Sequence, residues 1–444
     1  MSSSINENTD ERLSTLPEEV VALILSLMPT KFAVRTSILS KNWRHRWTLV
    51  TNLDFDDIHK VHGFDVLSKF VDRVLEFCQT PHVKLFRLKF SDRYYWYRMS
   101  GVSSWIDKAV RLNVHELDIH VILAQLPVSL ITCKTLTKLS IDCEIRNGLV
   151  WRCLCSVNLP CLKTLDIAVF DKPHENAFKL IRGCPVLESL FLTVTWLADE
   201  ENYIFVIPTL KRMKLTILYC MAPCTNNVVL NVPNLEYLFV GGVLCSYFFY
   251  EDVSSLVGAS FSFTHVRCDS MWVDILKGTN GVKSLSAQIG PIVYYEIPID
   301  SPLPSFPNMT YLELKGFRNW RLIIPEFLES SPELKHLCIE KANMSKTDIE
   351  SLWVEPKLVP ACLLTNLTTI KFSKCEGRKC DVQFLKYMLG NAEVLKTVTI
   401  IWRSLRFKQE RRLSTQLLNV PRASRHCEIN FIGKYSPYQN PLVK

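Results

Sequence analysis

Sixteen cysteines and ten histidines carry the widest chemical repertoire in this chain of 444 residues. Both types ligate metals, and both serve as nucleophile or base. Four close pairs could begin a zinc site: Cys153 with Cys155, Cys375 with Cys380, His59 with His62, and His265 with Cys268. A structural zinc ion takes four such ligands, normally as two pairs at set separations, and none of these pairs has a second pair at that spacing. Glycine motifs that cradle phosphate or form a nucleophile elbow do not occur. Carboxylates are spread thinly, with no motif to pair them, and nothing marks one Cys with a neighbouring His base. The residue types argue against an enzyme, a bound metal or a cofactor, and they direct the reading towards surfaces that bind.

Composition narrows the setting. Hydrophobic residues make up 48% and charged residues 22%, which suits a folded chain with sizeable cores. At this length the chain divides into domains or grows by repetition. The polar start MSSSINENTDERLST carries no secretory apolar core, and no run of apolar residues is long enough to span a membrane. Singly scattered cysteines then read as reduced thiols of a cytoplasmic or nuclear protein. The net charge of +8 is mild, and basic residues cluster only around Lys41–Arg46 and Arg406–Arg412. A nucleic-acid footprint would be a longer continuous stripe, so no nucleic-acid partner is expected.

Two kinds of element must position any binding surface. The first is helical and N-terminal. Thr15 can cap a helix, Pro17 suits its first turn, and Glu18 and Glu19 favour its positive end. Val20, Leu23, Ile24 and Leu27 recur at helical spacing, with Pro29 as the stop. Thr30 to Thr36 can make a second short helix. Ser40 can cap a third that carries Trp43 and Trp47 one turn apart. Three short helices in about forty residues form a marginal core unless they dock on something.

The segments Leu13–Val20, Ile24–Lys31 and Ala33–Arg44 resemble the F-box of plant proteins, in the Leu-Pro entry, the Leu-Ser-Lys-x-Trp segment and the spacing between them. The resemblance implies a trihelical module that binds a Skp-family adaptor, which in turn holds a cullin. Carried over by position, the adaptor-facing residues are Leu16, Pro17, Ile24, Leu25, Val34, Leu39, Ser40 and Trp43. Trp47, Leu23 and Leu27 read instead as core of the bundle. The Trp43–Trp47 run could also stack on nucleic acid, a reading the match to the module displaces.

The second kind of element repeats. An apolar residue, two variable ones, an apolar residue, one variable and an apolar residue recur thirteen times, from Leu85-x-x-Leu88-x-Phe90 and Val114-x-x-Leu117-x-Ile119 to Leu395-x-x-Val398-x-Ile400. Successive first anchors lie 21 to 33 residues apart, mostly within the leucine-rich-repeat range of roughly 20 to 29. Several copies follow an apolar-Pro step such as Leu159-Pro160, Ile207-Pro208 or Val232-Pro233, and Pro resets the chain before a strand. Such a strand cannot bury its anchors alone, whereas a stack of parallel strands can. The strict Asn or Cys ladder is missing, so the expected fold is α/β: a three-helix F-box followed by an irregular leucine-rich-repeat solenoid with parallel strands on its concave face.

Beyond the repeats, Leu364–Phe372, Phe384–Ala392 and Leu395–Ile400 resemble the FBD region of plant F-box proteins, which implies a closing cap; the Arg-rich stretch from Arg403 to Arg412 has no assigned partner. The domain reading is a disordered N-terminus over 1–9, F-box over 10–55, repeats over 80–345, FBD region over 355–432 and a tail over 433–444. Side-chain alternation puts Phe191, Arg212, Lys214, Tyr237 and Phe239 on the concave face, where water-facing aromatics would anchor a target protein or lie under covering loops. Tyr247–Tyr250 and Tyr294–Tyr295 read as filler on the convex side. The expected role is the non-catalytic substrate receptor of a ubiquitin ligase; the alternative is an F-box scaffold that degrades nothing. The target, its recognition signal and any bridging small ligand are not legible in the sequence.

Overall fold

The structure is a computed structural model that describes residues 16–56, 64–89, 101–120, 127–142, 157–169, 175–196, 202–220, 227–266, 269–290, 302–342, 353–403 and 405–435. Thr15, the 1–9 segment, Phe90, His59, His62, Cys153, Cys155, Cys268, Tyr294, Tyr295 and residues 436–444 lie outside them. The chain folds as two compact units, Met1–Leu197 and Ala198–Lys444. No helix among the described residues is long and apolar enough to cross a membrane.

The first unit opens with α1 (Glu18–Ser26) and α2 (Thr30–Arg35), followed by single turns of 3₁₀ helix at Thr36–Ile38, Lys41–Trp43 and Arg46–Leu49. The expected third helix through Trp43 and Trp47 is therefore two separate tight turns. Six strands follow: β1 (Asn52–Asp56), β2 (Leu85–Lys89), β3 (Glu116–His120), β4 (Lys138–Ile141), β5 (Thr164–Val169) and β6 (Ser189–Trp196). Between them come α3 (Phe64–Phe77), α4 (Val102–Arg111), α5 (Val128–Ile131) and α6 (Glu175–Arg182). The strands pair in parallel, in chain order.

Their register stacks identical positions. Leu53, Phe86, Leu117, Leu139, Leu165 and Leu190 form one ladder, and Phe55, Leu88, Ile119, Ile141, Ile167 and Leu192 the next. All twelve are buried. Each fully buried Leu or Ile contributes roughly 1.5–3 kcal/mol, so the ladders hold the stack. This register corrects the first repeat: its anchors are Val83, Phe86 and Leu88, while Leu85 faces Glu116 across the strand pair and is only half-buried. A further copy, Val50-x-x-Leu53-x-Phe55, begins the sheet ahead of residue 80.

The second unit holds β7 (Asn202–Val206), β8 (Arg212–Cys220), β9 (Asn227–Asn231), β10 (Tyr237–Leu244), β11 (Tyr247–Asp252), β12 (Gly258–Val266), β13 (Ser284–Ile289), β14 (Tyr311–Lys315), β15 (His336–Glu340), β16 (Thr369–Cys375), β17 (Thr397–Trp402) and β18 (Glu428–Ile432). Its helices are α7 (Asp269–Lys277), α8 (Trp320–Ser330), α9 (Ala361–Thr365), α10 (Lys379–Asn391) and α11 (Phe407–Leu418). The repeat strands β8, β10 and β12 to β18 pair in parallel. The anchors from Leu210 to Ile400 are buried. Where anchors shrink to Ala259 and Ala287, Trp272 packs edge-on against Phe261, Phe263 and Phe317.

The apolar-Pro steps are tight turns. The N–H two residues after the Pro donates to the carbonyl of the residue before it, as in Leu210 to Ile207 (3.2 Å), Leu235 to Val232 (2.9 Å) and Leu162 to Leu159 (3.2 Å). Pro fits the second position of such a turn because its φ is already set. The remaining strands β7, β9 and β11 make a separate three-stranded parallel sheet that periodicity had not indicated. The aromatic run falls on β11 and alternates: Phe248 is buried and the Tyr250 hydroxyl donates to the Ile275 carbonyl, while Phe249 is exposed.

Beyond β15 the segment 366–432 continues the repeats as β16, α10, β17, α11 and β18. Under it lies an aromatic cluster of Trp320, Trp353, Phe372 and Phe384. Lys341 and Asp381 are buried beside it, 2% and 0% exposed, and the Lys341 Nζ donates to both carboxylate oxygens at 2.7 and 2.9 Å. The backbone N–H groups of Glu376 and Arg378 donate to the same carboxylate at 3.1 and 3.2 Å. A buried charge needs such full pairing to persist.

Candidate docking surfaces

The residues Val20 to Leu25 are all apolar or nearly so, which leaves α1 two apolar stripes and room for only one against the core. Val21, Ala22, Leu25 and Ser26 face inward. The Ser26 hydroxyl donates to the Ala22 carbonyl and accepts the Thr51 N–H at 2.9 Å, the Asn52 side-chain amide donates to the Ser26 carbonyl, and the Asp54 N–H donates to the Thr30 hydroxyl at 2.7 Å. These bonds tie α1 and α2 to β1, so the helical module is fused to the first strand.

The other stripe is left in water. Leu23 is 62% and Leu27 80% exposed, with Val20 and Ile24 between them on the same helix face. This overturns the reading of Leu23 and Leu27 as core. Phe32, Ile38 (85% exposed) and Leu39 add large apolar side chains on the following segment. Contiguous exposed apolar area of this kind marks an interaction site. Of the residues singled out by position, Pro17, Ile24, Leu39 and Ser40 are exposed, and Leu16, Val34 and Trp43 are half-buried. Leu25 is 2% exposed and packs into the module's own core, because the Ser26 bonds to β1 turn that side of α1 inward; it is corrected from contact to support. Trp43 carries the Arg46 guanidinium over its ring at 5.3 Å, and the Trp47 indole N–H donates to the Arg44 carbonyl. Ser40 precedes the Lys41–Trp43 turn without a side-chain cap bond.

On the sheet face opposite the anchors, the two units present different chemistry. In the first, charges interlock across three strands and the residue that follows β4. Arg87 bridges Asp54 (3.1 Å) and Asp118 (2.8 Å), His120 reaches Asp118 at 2.7 Å and Asp142 at 3.5 Å, and Lys89 lies 3.7 Å from Asp118. The hydrogen bonds that His120 donates to Asp118 and Asp142 raise its pKa to about 9, and the bonds donated by His120 and Arg87 hold Asp118 well below the usual carboxylate range. These residues sit 31 or more positions apart in part of the network, so sequence spacing offered no sign of it. Phe191 lies on the corresponding face of β6, half-buried, with Asp166 beside it on β5.

In the second unit the register places Tyr237 beside Arg212 and Phe239 beside Lys214. Arg212 and Lys214 are exposed, Tyr237 is 50% exposed and Phe239 half-buried, so among the described residues no loop buries these four. The Lys214 Nζ stands 5.5 Å over the Phe239 ring. Glycine leaves room for the Phe239 ring: a Cβ on Gly241 would come within 2.7 Å of it. An aromatic pair flanked by unpaired cations can grip a partner side chain by stacking and charge together.

Among the described residues no three His, Cys, Asp or Glu side chains are grouped to hold a metal ion. Cys375 and Cys380 flank Asp381, whose carboxylate Lys341 already occupies, and burial raises both thiol pKa values.

Comparison with known proteins matches three stretches: the F-box domain over residues 13–54, the LRR repeats described for the FBD-associated F-box protein At5g56370 over 102–248, and FBD over 355–400. Among curated proteins of Arabidopsis thaliana, the putative F-box/FBD/LRR-repeat protein At4g13965 is 30% identical over 427 residues, covering 94% of this chain and 96% of that protein. The FBD-associated F-box protein At4g10400 is 31% identical over 438 residues, covering 95% and 100%.

Proposed function

The chain belongs to the family of F-box/FBD/LRR-repeat proteins, and from that premise we propose that it is the substrate receptor of a cullin-type ubiquitin ligase, working in the cytosol or nucleus. The observation that carries the reading is the second apolar stripe of α1, left in water on a module otherwise bonded to the repeat sheet. A Skp-family adaptor covers that stripe. Val20, Leu23, Ile24 and Leu27 are its centre, with Leu16, Pro17, Val34, Ile38, Leu39, Ser40 and Trp43 around it, and the adaptor in turn holds the cullin.

The repeats of the second unit hold a target protein, with Arg212, Lys214, Tyr237 and Phe239 as the anchor. The chain supplies no reacting group. It raises the effective concentration of target lysines near a separate conjugating enzyme, so that transfer becomes in effect intramolecular.

Two captures test this. Wild-type protein should retain the adaptor, and Leu23→Arg/Leu27→Arg should not. Loss of the protein should raise the abundance of whatever the Arg212/Tyr237 face captures under proteasome block. Adaptor capture by the double variant would refute the docking face, and unchanged target levels would refute the degradative role.

A further inference from the structure

The Arg-rich stretch after β17 lies along a cleft between α10 and α11 of about 540 Å³. One wall carries Lys379, Gln383 and Lys386 from α10, and the other Gln409, Arg412 and Gln416 from α11. Val382, Leu405 and Leu413 supply apolar surface between them. Lys379, Lys386 and Arg412 are exposed, and none is in an ion pair among the described residues. The one carboxylate of the lining, Glu376, is already held by Arg378 at 2.7 Å and Arg403 at 3.0 Å. The cleft therefore keeps three uncompensated positive charges over an apolar floor.

We propose that this cleft binds an acidic, extended segment of a partner protein. Lys379 and Lys386 are seven positions apart on α10, about 10 Å along a helix axis, which is roughly the span of three residues of an extended polyproline-II chain, whose side chains return to the same side every third residue. Carboxylates at every third position meet the two lysines, with Arg412 on the opposite wall. An aliphatic side chain between them reaches Val382 and Leu413. The amide of Gln416 can donate to and accept from the main chain of the segment, while the Gln383 oxygen already accepts the Trp353 backbone N–H and the Gln409 oxygen the Arg406 backbone N–H, both at 3.4 Å, so that their NH₂ groups remain to donate. Nucleic acid is the poorer fit, since the lining holds no aromatic ring for a base to stack on.

The test uses the full chain purified with its adaptor, and a labelled peptide of Glu-Leu-Ser repeats read by fluorescence anisotropy. The peptide should bind, and its Gln-Leu-Ser counterpart should not. Lys379→Glu/Lys386→Glu should weaken binding by about tenfold or more, as loss of two attractions and gain of two repulsions at exposed sites implies. Lys408→Glu/Arg411→Glu changes net charge equally outside the cleft and should leave affinity within about twofold. Thermal melting of both variants should match the parent, because all four side chains are exposed. Equal weakening by the two charge reversals, absence of peptide binding, or displacement of the peptide by a uridine oligonucleotide would each overturn the proposal.

Discussion

Truncating Leu27 to alanine should separate binding from folding, and the size of the effect follows from exposure. A leucine taken wholly out of water contributes roughly 1.5–3 kcal/mol. Leu27 still has 80% of its surface in water, so an adaptor that covers it gains most of that amount. Leu27→Ala should then weaken the adaptor complex by about 1–2 kcal/mol, or roughly 5- to 30-fold in Kd. Leu23 is 62% exposed, and the double truncation should cost about 2–3.5 kcal/mol if the two neighbours act additively. The free chain should melt within a degree or two of the parent, since little packing is lost. Leu25→Ala, one turn face away and 2% exposed, should do the reverse and destabilise the first unit by about 2–5 kcal/mol. Titration calorimetry with purified adaptor reads the first effect and thermal melting the second. A Leu27→Ala protein that binds within twofold of wild type, or that melts as early as Leu25→Ala, would refute the assignment of the two stripes.

Further outcomes follow from other contacts. Asp381→Ala leaves Lys341 buried without its partner and should cost about 3–5 kcal/mol, read as lost hydrogen-exchange protection in β16 and α10; Lys341→Met/Asp381→Leu should recover most of it. His120 titrates at about 9 in the folded chain against 6.5 for the free side chain. Its contribution to stability is therefore complete below about 6.5 and disappears as pH rises through about 9, a loss that His120→Gln should remove from a melting-versus-pH series and that an imidazole NMR titration would locate. Arg212→Glu/Lys214→Glu should abolish target capture while adaptor affinity stays unchanged, both read in one pull-down.

Much of the architecture was legible because repetition is a strong signal. Twelve of the thirteen anchor triplets read from the sequence point inward as expected. The first was misread because Val83-x-x-Phe86-x-Leu88 and Leu85-x-x-Leu88-x-Phe90 share Leu88 and a period of two. Only pairing with β3, which sets Phe86 against Leu117, separates them. The sheet of β7, β9 and β11 stayed hidden because its strands sit between repeats and pair only with each other.

At the docking surfaces the division is sharper. The chain's residues alone determined that a short helical module precedes stacked strands, and that alternation would send Arg212, Lys214, Tyr237 and Phe239 away from the anchors. They left open which side of α1 meets the core, because a helix apolar on nearly every face has no preferred side until something packs on it. The bonds from Ser26 and Thr30 to residues 24 to 26 positions later made that choice. The Lys341–Asp381 pair and the Arg87–Asp118–His120 network likewise exist only through register between strands and helices distant in sequence. Periodicity reports what is near along the chain, whereas the energy of a charge or an apolar side chain depends on what the fold brings beside it.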